Sequence, residues 1–150
     1  MVRDMAVWGP VRPVMIGGLV AVGFIDEQRV TVGSHSGLGI IDAPSGTMVE
    51  RISDLAGSYD WFSETSPSAT WLDCEGLHTV PVAGLWGGSL LGSTADGWQC
   101  SRSATGAFVR GPGESTIDIA DGEEFRAFGF SPGGRMFVYA SSATLHLVSR

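Results

Sequence analysis

Residues 129–141 read Gly-Phe-Ser-Pro-Gly-Gly-Arg-Met-Phe-Val-Tyr-Ala-Ser. Ser131-Pro132-Gly133-Gly134 has the chemistry of a tight turn, because proline presets φ and glycine accepts positive φ. The β-branched and aromatic run after Arg135 predicts a strand. A matching stretch lies near the other terminus: Gly23-Phe24-Ile25-Asp26-Glu27-Gln28-Arg29-Val30-Thr31-Val32. Each copy has Gly-Phe, a four-residue turn, Arg, an apolar residue, one further residue and Val. A short polar loop and another strand follow each, at residues 38–41 and 144–148. In the first unit a fourth strand, residues 47–52, follows the turn Asp42-Ala43-Pro44-Ser45-Gly46.

Two degenerate units fill the middle. One runs from Asp60-Trp61-Phe62 through residues 69–72 to residues 77–82. The other runs from residues 97–101 through 107–110 to 115–119. Unit starts near residues 20, 60, 97 and 127 approach the repeat length of a propeller blade, about 40–45 residues. A small antiparallel meander cannot cover both of its faces, so each unit needs neighbours.

The first and last units resemble blades of WD40-like β-propellers, the 130–135 turn being similar to the Phe-Ser-Pro-Asp-Gly-Arg turn of that family. The Trp-Asp dipeptide that follows strand c in the family is missing from both units. The resemblance implies an all-β fold, a small propeller-like array of about four units in one domain over residues 1–150. Propellers often complete the last blade with an N-terminal strand, a place that Met5-Ala6-Val7-Trp8 is expected to fill. A β-barrel and a β-sandwich also accommodate many short strands and stay open as alternatives. A ring this small also leaves completion by self-association open, as a homo-oligomer.

The totals narrow the function. The chain has 150 residues, 43% hydrophobic and 17% charged, with 22 glycines and 7 prolines. It is long enough for a core and too apolar for disorder. It contains no lysine, which removes the P-loop and lysine Schiff bases, and no asparagine, which removes N-glycosylation acceptors. This bias resembles that of a GC-rich, bacterial genome. The net charge of −7 gives no electrostatic reason to approach nucleic acid or an anionic membrane. The apolar run at residues 14–25 is too short to span a bilayer and has no cleavage site before Asp26, so it reads as buried strand in a cytoplasmic protein. Cys74 and Cys100 are too few for a disulfide scaffold and read as reduced thiols.

Catalytic signals are weak. Gly33-Ser34-His35-Ser36-Gly37 imitates a nucleophile elbow, but histidine holds the central place and strands flank both sides. It reads as a loop that exposes His35 for binding. His78 and His146 fall within strands, and no HExxH, CxxC or paired-histidine spacing occurs, so neither metal nor cofactor is expected. The carboxylates beside Cys74 disfavour its thiolate.

The propeller resemblance implies two loop rims. One would gather Asp54, Asp60, Glu75, Asp96, Glu114, Asp121, Glu123 and Glu124, with Arg12 as its clearest base. The other would mix Asp26, Glu27, Asp42 and Glu64 with Arg29, Arg102 and Arg135. The expected function is a non-catalytic interaction module whose acidic rim binds a basic protein or peptide, with Tyr59, Trp61 and Trp98 as aromatic anchors. The alternative is a small-molecule or carbohydrate-binding enzyme with a central pocket or barrel interior. His35, Asp60, Trp61, Trp98 and Glu124 would be its candidate residues.

Overall fold

The computed structural model describes residues 8–53, 60–64, 66–113 and 116–150. All regular structure among them is strand, in four antiparallel sheets. Sheet I is built from β2 (Leu19–Phe24), β3 (Arg29–Ser34), β4 (Gly37–Asp42) and β5 (Thr47–Ser53). Sheet II contains β6 (Phe62–Ser63), β7 (Ser68–Asp73) and β8 (Gly76–Pro81), and the short β9 (Ala83–Gly84) then returns to pair with β2. Sheet III contains β10 (Gln99–Ser103), β11 (Gly106–Arg110) and β12 (Thr116–Ala120). Sheet IV contains β13 (Phe125–Phe130), β14 (Met136–Ser141) and β15 (Thr144–Ser149). Its fourth strand is β1 (Arg12–Met15), paired with β15 from Arg12↔Leu147 to Met15↔Thr144.

Among the described residues, the N-terminal segment therefore does complete the last sheet, through Arg12–Met15. Met5, Ala6 and Val7 lie outside the described residues. Trp8 is no strand residue; its side chain is buried and packs against Trp98. The run at residues 14–25 is likewise not one buried strand. Gly17-Gly18 splits it, leaving a largely exposed β1 and a buried β2. No helix among the described residues is long and apolar enough to cross a membrane.

Three core clusters hold the sheets in the order III–IV–I–II. Val22, Val30, Val32 and Ile41 of sheet I meet Met136, Val138, Leu145 and Leu147 of sheet IV. Phe130, Phe137 and Tyr139 on the other face of sheet IV meet Trp98, Val109 and Ile119 of sheet III. Val20, Leu38 and Ile40 on the other face of sheet I meet Trp61, Trp71 and Val80 of sheet II. Period-2 alternation makes this possible, and in β2 a bulge between Leu19 and Ala21 turns Val20 and Val22 to opposite faces. β2 and β14 are apolar on both faces and lie between two cores, whereas β8 alternates and covers only one. Each fully buried Leu or Val contributes about 1.5–3 kcal/mol. Gly33 is required by this packing, because a Cβ there would lie 2.0 Å from the Trp61 ring.

The two matched turns meet across the boundary between sheets IV and I. Glu27 in the first accepts hydrogen bonds from the Ser131 hydroxyl, the Gly133 N–H (2.7 Å) and the Arg135 N–H (3.1 Å) in the second. The Ser131 hydroxyl in turn accepts the Met136 N–H at 3.1 Å, and Gly134 takes φ +75° to close the turn.

The third unit is offset from its expected strand roles. β12 leads directly into β13, and the Asp121 N–H bonds to the Thr105 carbonyl at 2.7 Å. The β10–β11 turn therefore lies beside the start of β13. Thr94-Ala95-Asp96-Gly97, before β10, lies at the opposite end, where Arg150 binds Asp96 and the Gly134 carbonyl.

Candidate functional site

The strands define two ends. The upper end, where β2 and β13 begin, is sewn together by backbone and arginine contacts. The Leu19 N–H bonds to the Ser142 carbonyl (3.1 Å) and the Ser142 N–H to the Glu124 carbonyl (2.7 Å). Arg126 Nε donates to the Leu19 carbonyl at 2.8 Å. The His35 N–H reaches the Gly18 carbonyl at 3.2 Å, which places the β3–β4 turn here. β8 finishes with the Pro81 carbonyl over Gly23, near the far end of β2, so the β7–β8 hairpin tip also belongs to the upper end.

This end carries Asp60, Asp73, Glu75, Asp121, Glu123 and Glu124. Its arginines among the described residues are Arg126, Arg102 and, two residues inside β5, Arg51. The Arg126 side chain is only 9% exposed and also pairs with Glu124. Arg102 lies over the Phe125 ring at 3.9 Å. The Asp121 side chain is 5% exposed and meets His146 Nε2 at 2.9 Å. Burial alone would raise the Asp121 pKa, but hydrogen bonds led by the Glu123 N–H and His146 hold it below the usual carboxylate range. Asp60, Glu75, Glu123 and Glu124 are exposed.

The lower end, where β2 and β13 finish, carries two acid–arginine ion pairs, while Asp42 and Glu64 there pair with no described arginine. Asp26 accepts Arg29 at 3.0 and 3.1 Å and the Gln28 and Arg29 N–H groups at 2.8 Å each. Burial raises its pKa, but these bonds more than reverse that. Asp96 takes a two-pronged contact from Arg150, at 2.8 and 3.0 Å, which with the Thr94 hydroxyl holds it well below the ordinary range. A cleft of about 680 Å³ opens there between sheets I and IV, lined by Asp26, Glu27, Arg135 and Arg150 among others.

The residues anticipated from sequence are thus partly gathered and partly separated. His35, Asp60, Glu75, Asp121, Glu123 and Glu124 share the upper end. Asp96 does not; it belongs to the lower end, because the 94–97 turn precedes β10 rather than following a strand c. Arg102 makes the reverse move to the upper end. Arg12 packs beside Gly46, at the β4–β5 turn of the lower end. Trp61 and Trp98 are 4% exposed each and fill different cores, so neither ring faces solvent as an anchor and the two do not converge on one pocket. Asp54, Tyr59 and Glu114 lie outside the described residues.

Sequence reading missed Arg126, whose burial next to Leu19 is a contact across 107 positions. It also missed the grouping of Asp73, Glu75 and His78 at one hairpin tip. The cross-strand neighbours Trp71 and His78 could have signalled that grouping. No protein-family model matches the chain, and no curated protein matches it in sequence.

Proposed function

We propose that this chain is a non-catalytic interaction module whose upper end binds a basic protein or peptide. In this reading the four sheets are blade-like units of an incomplete, WD40-like propeller arc in the order III–IV–I–II. The observation that carries the function is the unequal balance of charge among the described residues of the two ends. At the lower end Asp26, Glu27, Asp42, Glu64 and Asp96 stand with Arg12, Arg29, Arg110, Arg135 and Arg150, whereas the acids of the upper end share only Arg51, Arg102 and Arg126. At the upper end Asp60, Glu75 and Glu123 are exposed, while Arg126 is turned inward. Such a surface steers a cationic partner, accelerating encounter most at low salt.

The test uses an arginine-rich peptide as probe and measures its association rate at low and high salt. Asp60→Asn, Glu123→Gln and Glu124→Gln together should slow association about tenfold at low salt and flatten its salt dependence. Asp42→Asn with Glu64→Gln, at the other end, should leave both unchanged. Equal rates for the upper-end triple variant and wild type would reject the reading. Asp121 is left intact because its nearly buried bond to His146 makes its replacement a test of stability, whereas Glu124 is mostly exposed and its Gln keeps an acceptor for Arg126.

Self-association is a second reading, favoured by one observation. Leu72 and Leu77 face each other across β7 and β8 on the outer side of sheet II, 72% and 70% exposed. A second copy covering this pair would extend the series of sheets.

A further inference from the structure

We propose that the tip of the β7–β8 hairpin is a binding site for a borderline divalent transition-metal cation, with Asp73, Glu75 and His78 as its ligands. One ligand atom from each residue lies within 4.8 Å of the others, and His78 Nε2 is 2.9 Å from Asp73 Oδ1. Donors around a tetrahedral Zn²⁺ are about 3.3 Å apart, as follows from metal–ligand bonds near 2.0–2.1 Å. Closing on an ion therefore needs only small side-chain shifts.

The hairpin explains why three residues so close in sequence converge. Trp71 and Asp73 project from the same face of β7, and His78 sits opposite Trp71 on β8. Asp73 thus lies diagonally across from His78. The two-residue turn Cys74-Glu75, closed by Gly76 at φ +118°, carries Glu75 beside them.

Two of the ligands are held in place without a metal. The His78 ring stacks on Trp71 at 5.1 Å and 18°, and Trp71 is buried in the core between sheets I and II. The core thereby fixes the plane of the imidazole. Asp73 accepts the Glu75 N–H at 2.8 Å, which fixes the carboxylate. The site remains open, with the His78 and Asp73 side chains 31% and 23% exposed.

One imidazole and two carboxylates suit Zn²⁺, Co²⁺ or Mn²⁺ better than a thiolate-seeking ion or a hard cation that prefers an all-oxygen cage. Three protein donors leave at least one position for water or for a donor from another molecule. The inference does not depend on the proposed basic partner. Asp60, Glu123 and Glu124 carry that test and none of them is a ligand here.

The experiment is calorimetric titration of the untagged chain with Zn²⁺, backed by the visible spectrum of the Co²⁺ form and the NMR shift of the His78 ring. One ion per chain is expected. His78→Gln should weaken binding about tenfold or more, and so should Asp73→Asn with Glu75→Gln. The Asn retains an acceptor for the Glu75 N–H, so that variant keeps the hairpin. Cys74→Ser should bind as wild type does. No binding at millimolar Zn²⁺, unchanged binding in the folded Asp73→Asn/Glu75→Gln variant, or loss of binding in Cys74→Ser would each overturn the site.

Discussion

Replacing Glu27 tests how the two matched turns hold sheets I and IV together. Its carboxylate reaches Ser131, Gly133 and Arg135, more than a hundred positions away. Glu27→Ala removes the shared acceptor and leaves two backbone N–H groups and a buried serine hydroxyl to find others. Hydrogen bonds to a charged group contribute about 1.5–3 kcal/mol each, and the partial exposure of Glu27 discounts their sum. A total loss of about 2 kcal/mol is expected. With a urea m-value near 1–3 kcal/mol/M, that lowers the denaturation midpoint by about 1 M. The pH dependence gives a second check. Burial would raise the Glu27 pKa, but the bond from Ser131 and those from the Gly133 and Arg135 N–H groups bring it below the ordinary value. A depressed folded-state pKa means that the contribution is fully present above the ordinary glutamate range. It is lost as pH falls through the folded value. The gap between wild type and Glu27→Gln in urea titrations should therefore narrow as pH drops below about 4. An unchanged midpoint for Glu27→Ala at pH 7, or a gap that does not vary with pH, would refute the role given to this contact.

Trp98→Ala should destabilise the chain by about 3–5 kcal/mol in the same titration. The ring is 4% exposed, meets Trp8 edge-on at 5.7 Å and lies over Gly111. A surface residue would change stability by less than about 0.5 kcal/mol. Alkylation at pH 8 followed by mass spectrometry should find Cys74 modified well before Cys100. Cys74 is exposed, whereas burial pushes the Cys100 thiol up to about 11. If the Leu72–Leu77 pair drives self-association, light scattering across a concentration series should show a mass above the monomer, and Leu72→Ser with Leu77→Ser should return it to the monomer.

The strand content was legible because it is written locally. Turn residues punctuate short β-branched runs, and β2 to β5 lie close to where the pattern of the first unit puts them. Local pattern does not say which strand of a meander faces its neighbours. β10, β11 and β12 have strand-like sequences in any role. Their offset is fixed by the Asp121–Thr105 contact and by the direct passage from β12 into β13. This is why Asp96 and Arg102 exchanged ends. The tryptophans were ambiguous for a related reason. Trp98 follows a turn glycine and precedes Gln99, a setting equally suited to a surface anchor or to a ring folded back onto its own sheet. Only the glycine at position 111, which leaves room for the ring, settles it. Charge pairing was least legible. Asp96 finds Arg150 across 54 positions, and Arg126 finds the Leu19 carbonyl across 107. Net charge carries no trace of such partners, so the acids left exposed emerge only once the paired ones are known.

The most direct test of the proposed function is to map the peptide footprint. Isotope-labelled protein titrated with an arginine-rich peptide at low salt should show NMR shift changes concentrated at His35, Asp60, Glu75 and residues 121–126. These should fade as salt is raised. Changes centred on Glu27, Asp96 and Arg135, or none at low salt, would contradict it.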